Sequence, residues 1–108
     1  MEKIYNKLVR DKIPQIIEKD NETSITRTLS PEEYEIELYK KLNEECQEVM
    51  HSTSKDELIK ECADVLEIIK AIAELKGESL ETIINEANKK REKRGGFERR
   101  IYLEKTMK

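Results

Sequence analysis

Residues 44–64 read Glu44-Glu45-Cys46-Gln47-Glu48-Val49-Met50-His51-Ser52-Thr53-Ser54-Lys55-Asp56-Glu57-Leu58-Ile59-Lys60-Glu61-Cys62-Ala63-Asp64. Two acidic pairs, Glu45/Glu48 and Glu61/Asp64, flank the short polar run His51-Ser52-Thr53. Residues three apart on a helix lie on one face. The two pairs are also placed symmetrically about Ser54-Lys55. A helix ending before that point and another starting at it would form an antiparallel hairpin. Both pairs would then stand at one height, and four carboxylates would converge.

The flanking sequence supports those two helices. Ser30-Pro31-Glu32-Glu33 supplies an N-cap serine, a proline at the first helical position and a glutamate that completes a capping box. From there Leu38, Leu42, Cys46 and Val49 recur at helical spacing. A second capping box is expected in Ser54-Lys55-Asp56-Glu57, opening a helix that stops at Gly77. A third helix is expected from about Ser79 to Gly95-Gly96, with Glu78 and Glu81 early and Lys89, Lys90, Arg91, Lys93 and Arg94 late, as the helix dipole favours. Residues 12–19 suggest a short helix interrupted near Pro14. Ile25-Thr26-Arg27-Thr28 and Arg100-Ile101-Tyr102-Leu103 have strand character and are expected to pair as a small ribbon.

Composition agrees with this all-α reading, an antiparallel helical bundle of three main helices and a short N-terminal one. The 108 residues fit one domain, spanning 1–108, and contain only 3 Gly and 2 Pro. Charged residues make up 42 % and hydrophobic ones 36 %, so one chain has little apolar surface to bury and oligomerisation is expected. No apolar run approaches the roughly 20 residues of a spanning helix, and the start lacks the apolar core of a secretory signal. With 21 Lys+Arg against 24 Asp+Glu, the basic excess of a nucleic-acid binder is missing. Cys46 and Cys62 are too few for a disulfide framework and read as buried apolar residues of a cytoplasmic protein.

On the second helix, at about 100° per residue, Asp56, Lys60, Glu67, Lys70 and Glu74 form a polar face. Leu58, Cys62, Val65, Ile68, Ile69 and Ile72 form an apolar arc. Glu61 falls inside that arc and Asp64 at its margin. An acid on a packing face must be neutralised, paired or bound to a metal, and no Lys or Arg stands nearby on that stripe. Oxygen ligands of this kind suit a hard divalent cation, which points to a Mg²⁺ site, with Mn²⁺ as a substitute. A di-iron centre would want Glu-x-x-His pairs, and the one histidine, His51, lies in the turn, outside that spacing.

The third helix carries Leu80, Ile83, Ile84 and Ala87 on its packing stripe, and the same phase extends to Arg91 and Arg94, flanked by Asn88 and Lys90. Arginine suits bidentate phosphate binding. Carboxylate-held Mg²⁺ with inward arginines is a combination fitted to polyphosphate chemistry. There is no P-loop, no dinucleotide fingerprint and no nucleophile beside the histidine. The segment Tyr5-Asn6-Lys7-Leu8-Val9-Arg10-Asp11-Lys12-Ile13-Pro14 adds three bases within six residues.

These residues resemble the MazG-like all-α nucleoside triphosphate pyrophosphohydrolase superfamily, which includes phosphoribosyl-ATP pyrophosphohydrolase and dimeric dUTPases. The shared pattern is Glu-Glu-x-x-Glu, a spacer, then Glu-x-x-Asp, here Glu44-Glu45-Cys46-Gln47-Glu48 and Glu61-Cys62-Ala63-Asp64. The opening Tyr5–Pro14 segment and the late Lys93-Arg94-Gly95-Gly96-Phe97 resemble a small single-domain branch. The resemblance implies that Glu45, Glu48, Glu61 and Asp64 hold Mg²⁺, with Glu44 an accessory acid. It also implies hydrolysis of an α–β phosphoanhydride to a monophosphate and pyrophosphate by a water activated at the metal. Asn88, Lys90, Arg91 and Arg94, with Lys7, Arg10 and Lys12, would hold the nucleotide, and the active form would be a homodimer or higher homo-oligomer. Ala63 stands where many relatives have glycine. The expected activity is housekeeping hydrolysis of nucleoside triphosphates. Phosphoribosyl-ATP hydrolysis ranks second, because the N-terminal arm suits the other branch, and a non-catalytic helical interaction module third.

Overall fold

In the computed structural model, which covers residues 1–108, four helices follow one another: α1 (Ile13–Lys19), α2 (Pro31–Met50), α3 (Lys55–Leu75) and α4 (Leu80–Arg94). Each long helix starts where its cap predicts. Ser30 accepts from the Glu33 amide while the Glu33 carboxylate accepts from the Ser30 amide, a complete capping box. Arg27 adds a two-pronged contact to Glu33 at 3.0 and 3.3 Å, and with the Ser30 amide it holds that carboxyl down to about 2. At α3 only half of the expected box forms. Ser54 accepts from the Glu57 amide, but the Glu57 carboxylate accepts from the Thr53 hydroxyl instead of turning back to the Ser54 amide. Ser79 caps α4 by accepting from the Thr82 amide.

The α3 terminus explains the glycine at 77. Gly77 adopts φ +79°, its amide donates to the Glu74 carbonyl, and the Glu78 amide donates to the Ala73 carbonyl. This crossed pair of bonds closes a helix end through a left-handed residue, a conformation that costs glycine least. α1 starts with Pro14 in its first turn, so the proline opens this helix rather than interrupting it.

α2 and α3 pack along one another, and their interface contains every buried residue: Leu38, Glu45, Ile68 and Ala73. An ion pair between Glu35 of α2 and Lys76 at the end of α3 clamps the open end of the hairpin. α4 packs against α3 alone, and α1 against no other helix. The radius of gyration is 18.5 Å with extents of 64 × 35 × 25 Å, against about 13 Å for a compact chain of this length. Ile36, Tyr39, Ile59 and Leu66 remain exposed on α2 and α3.

The expected β ribbon is absent. Residues 25–28 and 100–103 form no strand. Two four-residue segments without a sheet face to cover them make too few contacts to stand alone, Arg27 is engaged by Glu33, and Arg100 turns the chain at φ +57°. Cys62, expected inside, is exposed and Cys46 half-buried, because α2 covers only part of the apolar arc of α3. The arc is wider than one neighbouring helix.

Leu38 is 3 % exposed, so Leu38→Ala is expected to lose about 2–5 kcal/mol. Ser54→Ala, which removes a single cap bond, is expected to lose about 1 kcal/mol. Urea midpoints of the two variants, compared with the parent, measure both.

Candidate functional site

The hairpin turn is tied locally. Met50 ends α2, the His51 amide and ring Nδ1 both meet the Gln47 carbonyl, and the Ser52 hydroxyl donates to the Val49 carbonyl. These contacts fix where α3 begins and therefore its height against α2. With that register, one carboxylate oxygen from each of Glu45, Glu61 and Asp64 lies within 4.8 Å of the other two. Glu44, Glu45 and Glu48 form a second such group along α2. Glu45 belongs to both. Of the four acids expected to converge, Glu45, Glu61 and Asp64 do so in one group, while Glu48 lies in the second with Glu44 and Glu45.

The electrostatics are those of crowded like charges. Glu45 is 8 % exposed, and its Oε2 is buried with no hydrogen-bond donor in reach. Glu61 is half-buried, and its Oε2 is likewise buried and without a partner. Two carboxyls so close can share a hydrogen bond only when one keeps a proton. That bond to Glu48, followed by burial and the charges of Glu48, Asp64 and Glu45, pushes Glu61 up to about 7. Glu45 is also raised, first by burial and then by Glu48. Desolvation and like charge act in the same direction here, both opposing ionisation.

Two cations relieve part of this load, and neither lies on α3. Lys41, one turn before Glu45 on α2, stands 3.8 Å from Glu45 and 4.0 Å from Glu44. Its i,i+4 spacing to Glu45 was the signal that could have picked it out. Arg10, from the N-terminal arm, donates from Nη2 to Asp64 Oδ1 at 2.7 Å across 54 residues of sequence. The other basic residues are elsewhere. Lys7 lies 5.5 Å from the Tyr5 ring centre. Neither Lys7 nor Lys12 makes an ion pair with the acids.

α4 departs most from the sequence expectation. Every residue from 81 to 94 is exposed, and the α4 backbone runs close to α3 but not to α2. Arg91 pairs with Glu98 in the following segment rather than facing the acids. Asn88, Lys90 and Arg94 make no hydrogen bond or ion pair with the acidic cluster. At the start of the helix Ile83 lines an apolar cleft with Ile69 and Ile72, whereas Ile84 and Ala87, expected on the same packing stripe, are exposed. The helix then runs on past the surface it packs against, so its later residues have no core to face.

Beside the acids, Cys46, Val49, Met50, Cys62 and Val65 line an apolar cleft of about 320 Å³. Each residue but Met50 directly follows a site acid in sequence, so the cleft occupies the adjoining side of the same hairpin.

Comparison with known proteins bears on the same stretch. Neither curated proteins nor solved structures yield a match. A family model described as phosphoribosyl-ATP pyrophosphohydrolase matches residues 7–91, a segment that takes in most of the arm, with Arg10, and Lys41 and all five acids. The match extends over most of the chain and over both halves of the acidic pattern, and the chain thus belongs to the phosphoribosyl-ATP pyrophosphohydrolase family, a MazG-like all-α family of hydrolases acting on phosphoanhydride bonds.

Proposed function

We propose that this chain is a Mg²⁺-dependent pyrophosphohydrolase that cleaves the α–β phosphoanhydride of phosphoribosyl-ATP, leaving the monophosphate nucleotide and pyrophosphate. The observation that carries the metal part is the pair of buried, partnerless oxygens, Glu45 Oε2 and Glu61 Oε2. A buried carboxylate oxygen without a donor is costly, and the cluster offers only oxygen donors, the set a hard divalent cation takes. Glu45, Glu61 and Asp64, joined by Glu48, would hold Mg²⁺ or Mn²⁺, with Glu44 as an accessory acid. Bound there, the cation would supply Lewis-acid stabilisation of the phosphate oxygens.

The chain's own residues do the rest. The Glu61 carboxyl, raised to about 7 by its hydrogen bond to Glu48 and by burial, is suited to take the proton of an attacking water as the anhydride bond breaks. Lys41 offsets the negative charge of Glu45 and Glu44. Phosphoribosyl-ATP is preferred because the matching family is described by that substrate. Other nucleoside triphosphates are the second reading, favoured by the Tyr5–Pro14 arm with its resemblance to a small separate branch. Family membership argues against a purely structural interaction module.

A homodimer or higher homo-oligomer is part of the proposal. The exposed apolar residues of α2 and α3 and the extended shape leave this chain short of burial alone. A substrate role for Asn88, Lys90, Arg91 and Arg94 requires α4 to meet the nucleotide outside the contacts of the single chain. Sedimentation is expected to give at least twice the chain mass, and Leu66→Glu to lower it.

The catalytic reading is tested by pyrophosphate release from phosphoribosyl-ATP and a panel of nucleoside triphosphates, with and without Mg²⁺. Phosphoribosyl-ATP is expected to turn over fastest. Glu61→Gln should reduce turnover at least about a hundredfold, since even outer residues of metal sites cost 10–100-fold, with helix content by circular dichroism retained. Full activity in that variant would remove Glu61 from the site.

The pH dependence has a definite sign. Glu61 keeps its proton up to about pH 7 in the folded chain but releases it near 4.5 when unfolded. The folded state therefore binds more protons between those values, and its stability falls as pH rises through them. In EDTA, the melting temperature should drop from pH 5 to pH 7.5. With saturating Mg²⁺ the drop should shrink, because the cation takes the place of the proton, and Glu61→Gln should flatten it without metal.

A further inference from the structure

We propose that Arg10 is an exchangeable counter-ion of the site: it neutralises Asp64 while no cation is bound, and it contacts a substrate phosphate once a cation takes Asp64. This rests on the metal reading given above and adds a positioning residue for it. The observation is the Nη2–Oδ1 contact of 2.7 Å between a residue of the irregular N-terminal arm and one of the three converging acids. Arg10 and Lys41 are the two cations paired with the cluster, and they differ in kind. Lys41 is fixed to its own helix beside Glu45 and Glu44, with a side chain 20 % exposed.

Arg10 reaches in from outside the hairpin, and its side chain is 57 % exposed against 40 % for Asp64. A pair this open to water is held weakly and can be exchanged. The arm is nevertheless seated. Leu8 and Val9, immediately before Arg10, are half-buried, as are Ile13 and Pro14 after it, while Arg10 itself stays exposed. The backbone therefore holds the guanidinium at the edge of the acids while its side chain keeps freedom to turn.

Chemistry supplies the exchange. Asp64 cannot give the same oxygen to a cation and to a guanidinium at full strength, so a divalent ion on Asp64 weakens the Arg10 contact. A phosphate oxygen arriving with that ion is a stronger partner for a planar two-pronged donor than a neutralised carboxylate. No covalent step is involved. The arm thus contributes one charge-assisted hydrogen bond that is made to the protein before loading and to the substrate after it.

The test uses the full chain with two probes, Mn²⁺ alone and inorganic pyrophosphate in excess Mg²⁺, by titration calorimetry. Arg10→Gln should bind Mn²⁺ about three- to fivefold more tightly, the scale of an exposed ion pair that no longer has to be broken. It should bind pyrophosphate about tenfold more weakly, the loss of one charged hydrogen bond. Lys3→Gln, which removes a charge just ahead of the arm that makes no ion pair with the acids, separates contact from general charge and should leave both constants near the parent. Mn²⁺ affinity unchanged or weakened in Arg10→Gln, or raised equally in Lys3→Gln, overturns the exchange. In the unmodified protein, independently of how any variant folds, the Arg10 guanidinium NMR signals should shift on adding Mg²⁺ and shift again on adding pyrophosphate. Signals unmoved by both also overturn it. A parent chain that binds no Mn²⁺ defeats the metal reading itself, an outcome distinct from bound Mn²⁺ with no Arg10 effect.

Discussion

Three carboxylates held within 4.8 Å of one another at the packed interface of α2 and α3 set the terms for everything else in this molecule. Repulsion among them, increased by burial, would part the helices if nothing answered it. Several answers are visible at once: the proton that Glu61 retains to about pH 7, the lysine one turn before Glu45, and the arginine brought in by the arm. None of them satisfies Glu45 Oε2 or Glu61 Oε2. That remaining deficit gives the cluster its chemical direction, because a small divalent cation meets several such oxygens together.

The scaffold around the cluster is rigid at its ends. At one end, the turn after Met50 is tied by the His51 and Ser52 contacts and by the Ser54 cap. At the other, Glu35 and Lys76 join α2 to α3. Between them Leu38, Ile68 and Ala73 supply the apolar contact that holds the helices side by side. A site built on two long helices locked at both ends keeps its ligands in place better than one carried on loops. Arg10 comes by contrast from irregular chain.

Much of this arrangement was legible in the sequence. Ser30, Ser54 and Ser79 marked three helix starts, and Gly77 and Gly95 marked two ends, because caps are local chemistry read from adjacent residues. The level placement of Glu45/Glu48 and Glu61/Asp64 followed from their symmetry about the turn. Less legible were features that depend on how far one element extends past another. Arg91 and Arg94 share the apolar phase of α4, yet α3 supports only the start of that helix, so they face water. Cys62 lies in the apolar arc of α3 but on an open cleft beside α2 that leaves it exposed. The four-residue ribbon segments had the right residue types and no surface to pair on. The family match also reversed the order of substrates that the arm had suggested.

By itself the sequence determined the helices, their caps and the height at which the acids meet, since all of these follow from residue spacing along one chain and a turn of known position. Only the tertiary structure decided which charges answer those acids. Periodicity assigns a residue to a face but says nothing of what arrives at that face from distant sequence. Arg10 reaches Asp64 across 54 residues because the arm is seated beside the hairpin, whereas Arg91 stays with Glu98 because its helix leaves the bundle.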